Sequence, residues 1–206
     1  ALNNKPYRYT DRTWELDQIK SISPHDCVGT NIYMHVKNNQ IKRVVPLQND
    51  SINESWIADR DRFGFDGIYS ADRIEVPMIR SGDQLIEASM DDAIKLVNEN
   101  ISSIVGSNLQ DNISALISPS TSLGEQFLLA NYLSQQNIRN LDHRINQVDF
   151  TGDTLDPLFP HLNMNLDDIQ NMKTILVVGS NMRKETPILA HWVKKATDNG
   201  SSIHFI

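Results

Sequence analysis

The sequence is poor in cysteine, in basic runs and in long apolar segments. Cys27 is the one cysteine in 206 residues, which excludes an internal disulfide and a metal site built from four cysteines. The longest unbroken apolar runs have four residues, for example Ile175 to Val178, whereas a membrane-spanning helix needs about 20. No more than two Lys or Arg are adjacent and the net charge is −7. We therefore expect no nucleic-acid partner and no direct membrane insertion.

Motifs that carry catalysis are also missing. The sequence has no Gly-x-Ser-x-Gly, no Walker loop and no paired-carboxylate motif, so we predict no catalytic residues. Gly179, Ser180 and Asn181 follow a predicted strand, which is where open α/β sheets bind ligands. They lack Gly-x-Gly-x-x-Gly, and the simplest interpretation is a turn from strand to loop.

The first third of the chain has a strand-like pattern. Ile32, Met34 and Val36 alternate with polar residues, as in a half-buried strand. The Asn-rich run after Lys37 predicts a tight hairpin turn to a return strand. His35 falls on the polar face of this pattern, which predicts a surface histidine.

Later residues predict helices that alternate with short strands. Ser89 and Thr186 are candidate N-caps, the latter followed by Pro187. Another helix is predicted from Leu123, and Gly200 is placed to end the last one. Strand, helix and strand between Thr174 and Ile206 predict a right-handed βαβ unit. The predicted class is α/β: a small β-rich subdomain (13–71), then the start of a Rossmann-like α/β domain with a mainly parallel sheet (72–206).

Residues 137–164 are rich in carboxylates and histidines without a regular spacing. The pattern leaves two interpretations open, a metal site or a long surface loop, and the two prolines at 157 and 160 favour the loop. The residues in question are Asp142, His143, Asp149, Asp153, Asp156 and His161.

Two stretches resemble an iron–sulfur frame without its cysteines. Residues 21–31 read Ser-Ile-Ser-Pro-His-Asp-Cys-Val-Gly-Thr-Asn, and residues 56–67 contain Ala-Asp-Arg-Asp-Arg-Phe. The chain is similar here to the molybdopterin oxidoreductases, including the large iron–sulfur subunit of respiratory complex I. Cluster-bearing members read Cys-x2-Cys-x3-Cys, then about 27 residues, then Cys-Asp-Arg-x-Arg-Phe. The resemblance also rests on Lys5-Pro6-Tyr7, Trp14-Glu15, Asp72-Arg73-Ile74 and Val177 to Asn181.

This resemblance implies four ligand positions that cannot supply a thiolate. They fall on Ser23, Asp26, Thr30 and Ala58; we call them the four ligand positions. Because a [4Fe–4S] cluster is normally held by four cysteines, we expect no metal and no cofactor in this chain. We further expect Trp56, Phe63 and Phe65 to fill the space of the missing cluster.

The resemblance implies a non-catalytic, structural part of a complex I subunit. Residues 1–12 would be an extended arm from an upstream cluster domain, and upstream iron–sulfur clusters would carry electrons from NADH towards quinone. The expected partners are other complex I subunits and those cluster domains, at the cytoplasmic face of the inner membrane or the matrix side in mitochondria. An open sheet edge would favour self-association. The alternatives are an active molybdopterin-dependent oxidoreductase, whose pterin the turn at 179–181 would help hold, and an unrelated α/β binding module.

Overall fold

The computed structural model describes residues 4–144, 151–152, 154–155 and 161–206. Of the residues in the carboxylate-rich stretch, Asp149, Asp153 and Asp156 lie outside this described part. None of the described helices has the length and apolar character that crossing a membrane requires.

The chain divides into two compact units. One unit draws on residues 1–70 and 157–206, and the other on residues 71–156. Residues 161–206 therefore pack with the β-rich region. The domain boundaries drawn from the sequence, at 12 and 71, stay a prediction.

The first unit contains a three-stranded antiparallel sheet in the order β1-β2-β3. The two-residue turn between the second and third strands is made by Asn38 and Asn39, both with positive φ, the conformation of a type I′ hairpin turn. The predicted hairpin is confirmed. Its strands are β1 (Asp17–Ile22), β2 (Asn31–Lys37) and β3 (Gln40–Pro46).

The alternation in β2 breaks at His35. The register of β2 against β3 shifts between His35 and Val36, and a bulge of this kind re-aims the side chains around it. His35 is buried, and Arg43 Nε donates a hydrogen bond to its Nδ1 at 3.0 Å. The prediction of a surface histidine was wrong because the period of two does not continue through the bulge.

The same unit contains the predicted βαβ element near its C-terminus. β8 (Thr174–Val177) and β9 (Ser202–Phe205) pair in parallel on either side of α5 (Pro187–Asp198). Pro187 occupies the first helical position, where its missing N–H costs nothing. Gly200 has φ +95° just beyond the helix end, as a C-terminal glycine should. This part of the α/β prediction is confirmed.

The described residues of this unit form two apolar cores. Ile32, Val44 and Ile57 form the first, under the antiparallel sheet. The second surrounds Trp192 of α5, the most deeply buried large side chain, together with Ile188. Short helices complete the unit: α1 (Asp59–Phe63), α4 (Met182–Glu185), and 3-10 turns at Thr13–Glu15, Gly64–Tyr69 and Leu166–Asn171.

The second unit combines two helices with short strands. Ser89 accepts a hydrogen bond from the backbone of Asp92, and Ser122 forms a capping box with Glu125. The predicted helix starts are therefore confirmed. The elements are β4 (Met78–Ser81), β5 (Gln84–Glu87), α2 (Met90–Gly106), a 3-10 turn (Gln110–Asn112), β6 (Ser114–Leu116), α3 (Leu123–Gln135) and β7 (Asn140–Asp142).

The parallel pair in this unit corrects one prediction. β7 lies inside residues 137–164, which the sequence favours as a loop, and it pairs in parallel with β6. A strand of three residues is too short to show a recognisable hydrophobic pattern. It forms because it pairs with a neighbouring strand, and that pairing cannot be predicted from the local sequence. Parallel pairing in β6–β7 and β8–β9 agrees with the predicted fold class.

Candidate functional site

The loop between β1 and β2 carries three of the four ligand positions. The backbone N–H of Ser23 donates to the carbonyl of Thr30 at 2.9 Å, which closes the loop at its base. Both residues are buried. Gly29 has φ +80° just before Thr30, a conformation that glycine adopts without strain.

Helix α1 binds the Ser23 side of this loop through a buried carboxylate. Ser23 Oγ donates a hydrogen bond to Asp61 Oδ1 at 2.5 Å and accepts one from the backbone N–H of His25. The His25 ring lies close by, with Nε2 4.0 Å from Asp61 Oδ1. Gly64 makes room for that ring, since a Cβ at this position would stand 3.0 Å from His25 Nε2. The polar side chains thus occupy the space beside Ser23.

Asp26 is held by a second residue of α1. Its Oδ2 accepts a hydrogen bond from Arg60 Nη2 at 2.6 Å, and its Oδ1 accepts from the backbone N–H of Val28 at 3.0 Å. The carboxylate is almost fully buried, so the guanidinium supplies the charge partner that a buried carboxylate needs.

Ala58 is the residue that precedes α1. It is buried and extended, and its carbonyl accepts from the backbone N–H groups of Asp61 and Arg62. The four ligand positions are therefore gathered at one loop and at the start of the helix that contacts it. Their assignment as former cluster ligands stays a prediction.

The donor atoms at these positions do not fit a [4Fe–4S] cluster. Four thiolates are the usual ligands, whereas the positions carry two hydroxyls, a carboxylate engaged by Arg60, and a methyl group. Cys27 is exposed and lines an apolar cleft of about 860 Å³ beside β8. Within the described residues, no three His, Cys, Asp or Glu side chains are grouped as a metal site would need.

The expected aromatic filling of the cluster space is not what the structure has. Trp56 is 58% exposed and Phe63 is 37% exposed. Phe65 packs instead against the core under the antiparallel sheet. The prediction was wrong, and the residue of α1 that hydrogen-bonds to the loop at Ser23 is the polar Asp61.

The turn after β8 uses its polar groups internally. Gly179 has φ +64°, and Ser180 Oγ donates to Glu185 Oε2 at 2.6 Å. The backbone N–H of Asn181 donates to the same carboxylate. The Ser180 hydroxyl and then this backbone contact lower the pKa of Glu185. These contacts agree with a turn that is closed on itself.

The carboxylate-rich stretch shows a local ion pair in its described part. Asp142 accepts hydrogen bonds from Arg144 Nε and from the backbone of Arg144 and His143. Arg144 first, then the backbone donors, lower the pKa of Asp142 to about 2. His161 lines the apolar cleft that also contains Cys27.

A second polar cluster, which no sequence motif indicates, lies between the loop at 49–56 and α5. Glu54, which has a positive φ, accepts a hydrogen bond from Lys195 Nζ at 2.6 Å and pairs with His191 Nε2 at 2.8 Å. These contacts, with Lys195 the larger cause, lower the pKa of Glu54. Asn53 is fully buried beside it. The loop fastens the antiparallel sheet to α5.

Comparison with known proteins identifies the family to which the chain belongs. The molybdopterin oxidoreductase family matches residues 73–206, and the NADH-ubiquinone oxidoreductase NDSU1/NuoG-like 4Fe-4S domain matches residues 16–66. The chain belongs to the molybdopterin oxidoreductase family. The fold agrees, because acetylene hydratase from Pelobacter acetylenicus superposes with a TM-score of 0.68 over 90% of this chain and 26% of that one, at 10% identity.

Relatives in sequence include subunits of NADH-quinone and NADH-ubiquinone oxidoreductases. The G subunit of NADH-quinone oxidoreductase from Rickettsia felis is 31% identical over 201 residues, which are 98% of this chain and 29% of that protein. Its counterpart from Rickettsia bellii is 33% identical over 189 residues, 92% of this chain and 27% of that protein. The mitochondrial NADH-ubiquinone oxidoreductase 78 kDa subunit of Candida albicans is 29% identical over 206 residues, covering 95% and 27%. The chain thus spans less than a third of the length of these relatives.

Proposed function

We propose that this chain is a non-catalytic, structural part of a complex I large iron–sulfur subunit. The observation that carries the proposal is the chemistry of the four ligand positions. Ser23 and Asp26 are engaged by Asp61 and Arg60 of the same helix, and Ala58 has no donor atom. Thr30 Oγ1 is buried without a hydrogen-bond partner among the described residues, but a single hydroxyl cannot replace the four thiolates that normally hold a [4Fe–4S] cluster.

Electrons would then bypass this chain. The parent subunit would carry them from NADH towards quinone through clusters outside these 206 residues. This chain would hold those cluster domains and neighbouring complex I subunits in place. It would lie in the peripheral arm, at the cytoplasmic face of the inner membrane in a bacterium or on the matrix side in a mitochondrion.

The test is the iron and acid-labile sulfide content of the 206-residue chain, prepared without oxygen. We expect neither. The matched positive control carries Ser23→Cys, Asp26→Cys, Thr30→Cys and Ala58→Cys together. If the four positions surround one spot, this variant gains iron and sulfide in equal amounts, about four of each per chain. Iron and sulfide in the unaltered chain would overturn the proposal.

The match of residues 73–206 to the molybdopterin oxidoreductase family supports one alternative. An active enzyme of that family would bind a pterin, and the turn at Gly179 to Asn181 would help to hold it. Metal analysis distinguishes the two functions. Molybdenum or tungsten that co-purifies in a one-to-one ratio favours the enzyme, whereas a structural part contains neither. An unrelated α/β binding module, the other alternative, is wrong because the chain belongs to this family.

We also propose that copies of this chain associate through two exposed strands. β8 and β9 pair only with each other among the described strands, and Leu176 and Phe205 are exposed on them. Exposed apolar strands with free edges pair with other copies. Light scattering over a range of concentrations tests this, and a monomer at the highest concentration contradicts it.

A further inference from the structure

Arg60 connects two parts of the first unit that are far apart in sequence. Its Nη2 donates to Asp26 Oδ2 at 2.6 Å, in the loop between β1 and β2. The same nitrogen donates to the carbonyl of Glu185 at 2.6 Å, and Nη1 donates to the carbonyl of Lys184 at 3.3 Å. Both carbonyls end the short helix α4, which lies between β8 and α5. One side chain therefore reaches a loop residue 34 positions away and a helix end 125 positions away along the chain.

The position of Arg60 can be compared with that of a cluster, which would hold separate parts of the chain together. A [4Fe–4S] cluster joins all of its ligands through one rigid centre. At the four ligand positions, such a centre would tie the residues at 23, 26 and 30 to the residue at 58. In this chain, Ser23 is tied to Asp61 and Asp26 to Arg60. Both partners lie within the first turn after Ala58.

The chemistry of these contacts suits a cross-link. The Asp26 carboxylate is nearly fully buried, and the Arg60 side chain is about a third exposed. A charge-assisted hydrogen bond to a buried carboxylate is stronger than a neutral one. Arg presents donors in a fixed fork, so it binds the carboxylate and the helix carbonyls at the same time, which Lys cannot do with one point charge.

Accordingly, we propose that the pair of Arg60 with Asp26 is a cross-link that takes over the mechanical role of the absent cluster, and that the contacts of Arg60 with the carbonyls of α4 extend it to that helix. An Arg at position 60 also belongs to the motif of cluster-bearing members, and the new partner in this chain is the carboxylate at ligand position 26. The inference rests on the proposed function, since it presumes that no cluster is present. It goes beyond that function in naming the residue that keeps the loop closed and attached to the α/β part of the unit. Ser23–Asp61 is the second cross-link, and it joins the loop to α1 alone.

Hydrogen exchange followed by mass spectrometry on the 206-residue chain tests the cross-link. Arg60→Gln should raise exchange about tenfold in two segments, residues 24–30 and residues 182–187, because both lose a charged donor. Asp26→Asn should raise it in the first segment alone. Arg62→Gln is the matched control, since Arg62 lies on the same helix and has no hydrogen bond to either segment in the described part of the chain.

Two results would overturn the inference. One is a change below about twofold in both segments for Arg60→Gln; the other is an equal change for Arg62→Gln. If Arg60→Gln unfolds the whole chain, Arg60→Lys replaces it and must affect the same two segments, and an effect elsewhere or nowhere rejects the cross-link. Iron analysis of the same samples reports on the proposed function separately. Iron-free protein without the exchange effect rejects only the role of Arg60.

Discussion

The indole nitrogen of Trp192 donates a hydrogen bond to the carbonyl oxygen of Ile52 at 2.6 Å. The indole is almost completely buried in the core around α5. The bond joins α5 to the loop that follows the antiparallel sheet. Trp192 is therefore both the centre of the core around α5 and a link from that core to the loop.

Trp192→Phe removes this hydrogen bond and leaves an aromatic ring in place. We expect a loss of about 2–4 kcal/mol in the free energy of unfolding, from the unpaired buried carbonyl and the smaller ring. Urea denaturation measures it. Trp56→Phe is the control, because Trp56 is mostly exposed and its replacement should change stability by no more than about 0.5 kcal/mol. Equal losses for the two variants would contradict the role of Trp192.

Asn53 organises the loop that Trp192 contacts. Its side chain accepts a hydrogen bond from the backbone N–H of Asn31 and donates to the carbonyls of Leu47 and Trp56. We expect Asn53→Ala to cost about 3 kcal/mol of unfolding free energy, since it leaves several buried backbone groups unpaired.

A matched variant separates hydrogen bonding from volume at this position. Asn53→Asp keeps the shape but loses the donors and buries a charge, so it should cost at least as much as Asn53→Ala. Urea denaturation of both variants measures the difference. A near-native stability for Asn53→Asp would show that the amide donors are not what holds the loop.

His35 makes stability depend on pH. Burial first, and then the nearby Arg43, lower its pKa, so the folded chain resists a proton that the unfolded chain accepts. Stability from this group is fully present above about pH 6.5, the ordinary histidine value, and is lost as the pH falls from there towards the lowered pKa.

The slope due to His35 should be no more than about 1.4 kcal/mol per pH unit, the value for one proton. The measurement is the free energy of unfolding in urea at several values between about pH 7 and pH 5 for the native chain and for His35→Asn. We expect the native chain to have the steeper slope. Parallel curves would mean that His35 takes up its proton equally in both states.

Local signals account for what could be predicted of the fold. Ser89 and Pro187 mark helix starts because capping depends on adjacent residues. The Asn38–Asn39 turn has the same local origin. The burial of His35 could not be predicted from local signals. It depends on a bulge, which arises from the way β3 pairs with β2, and no residue of β2 indicates that bulge by itself.

The candidate site, too, could be predicted only where its signal is local in the sequence. The spacing of Ser23, Asp26, Thr30 and Ala58 could be compared with a cysteine pattern. The motif also contains Arg60 and Asp61, but their partners depend on how α1 lies against the loop. The contact between Glu54 and α5 joins residues about 140 positions apart, and no local pattern indicates such a pair.

Phe63 and Phe65 provide a last test of what fills the loop. Both rings were expected to fill the space of the missing cluster. Phe65 packs instead against the core of Ile32, Val44 and Ile57. Phe63 is partly exposed at the protein surface. Phe65→Ala should cost about 2–4 kcal/mol of unfolding free energy, through lost burial and the cavity it leaves. Phe63→Ala should cost less than about 1 kcal/mol, because a partly exposed ring leaves no enclosed cavity. Urea denaturation of the two variants compares them directly. A cost for Phe63→Ala as large as that for Phe65→Ala would return Phe63 to the interior of the loop and reduce the part assigned to Asp61 and Ser23.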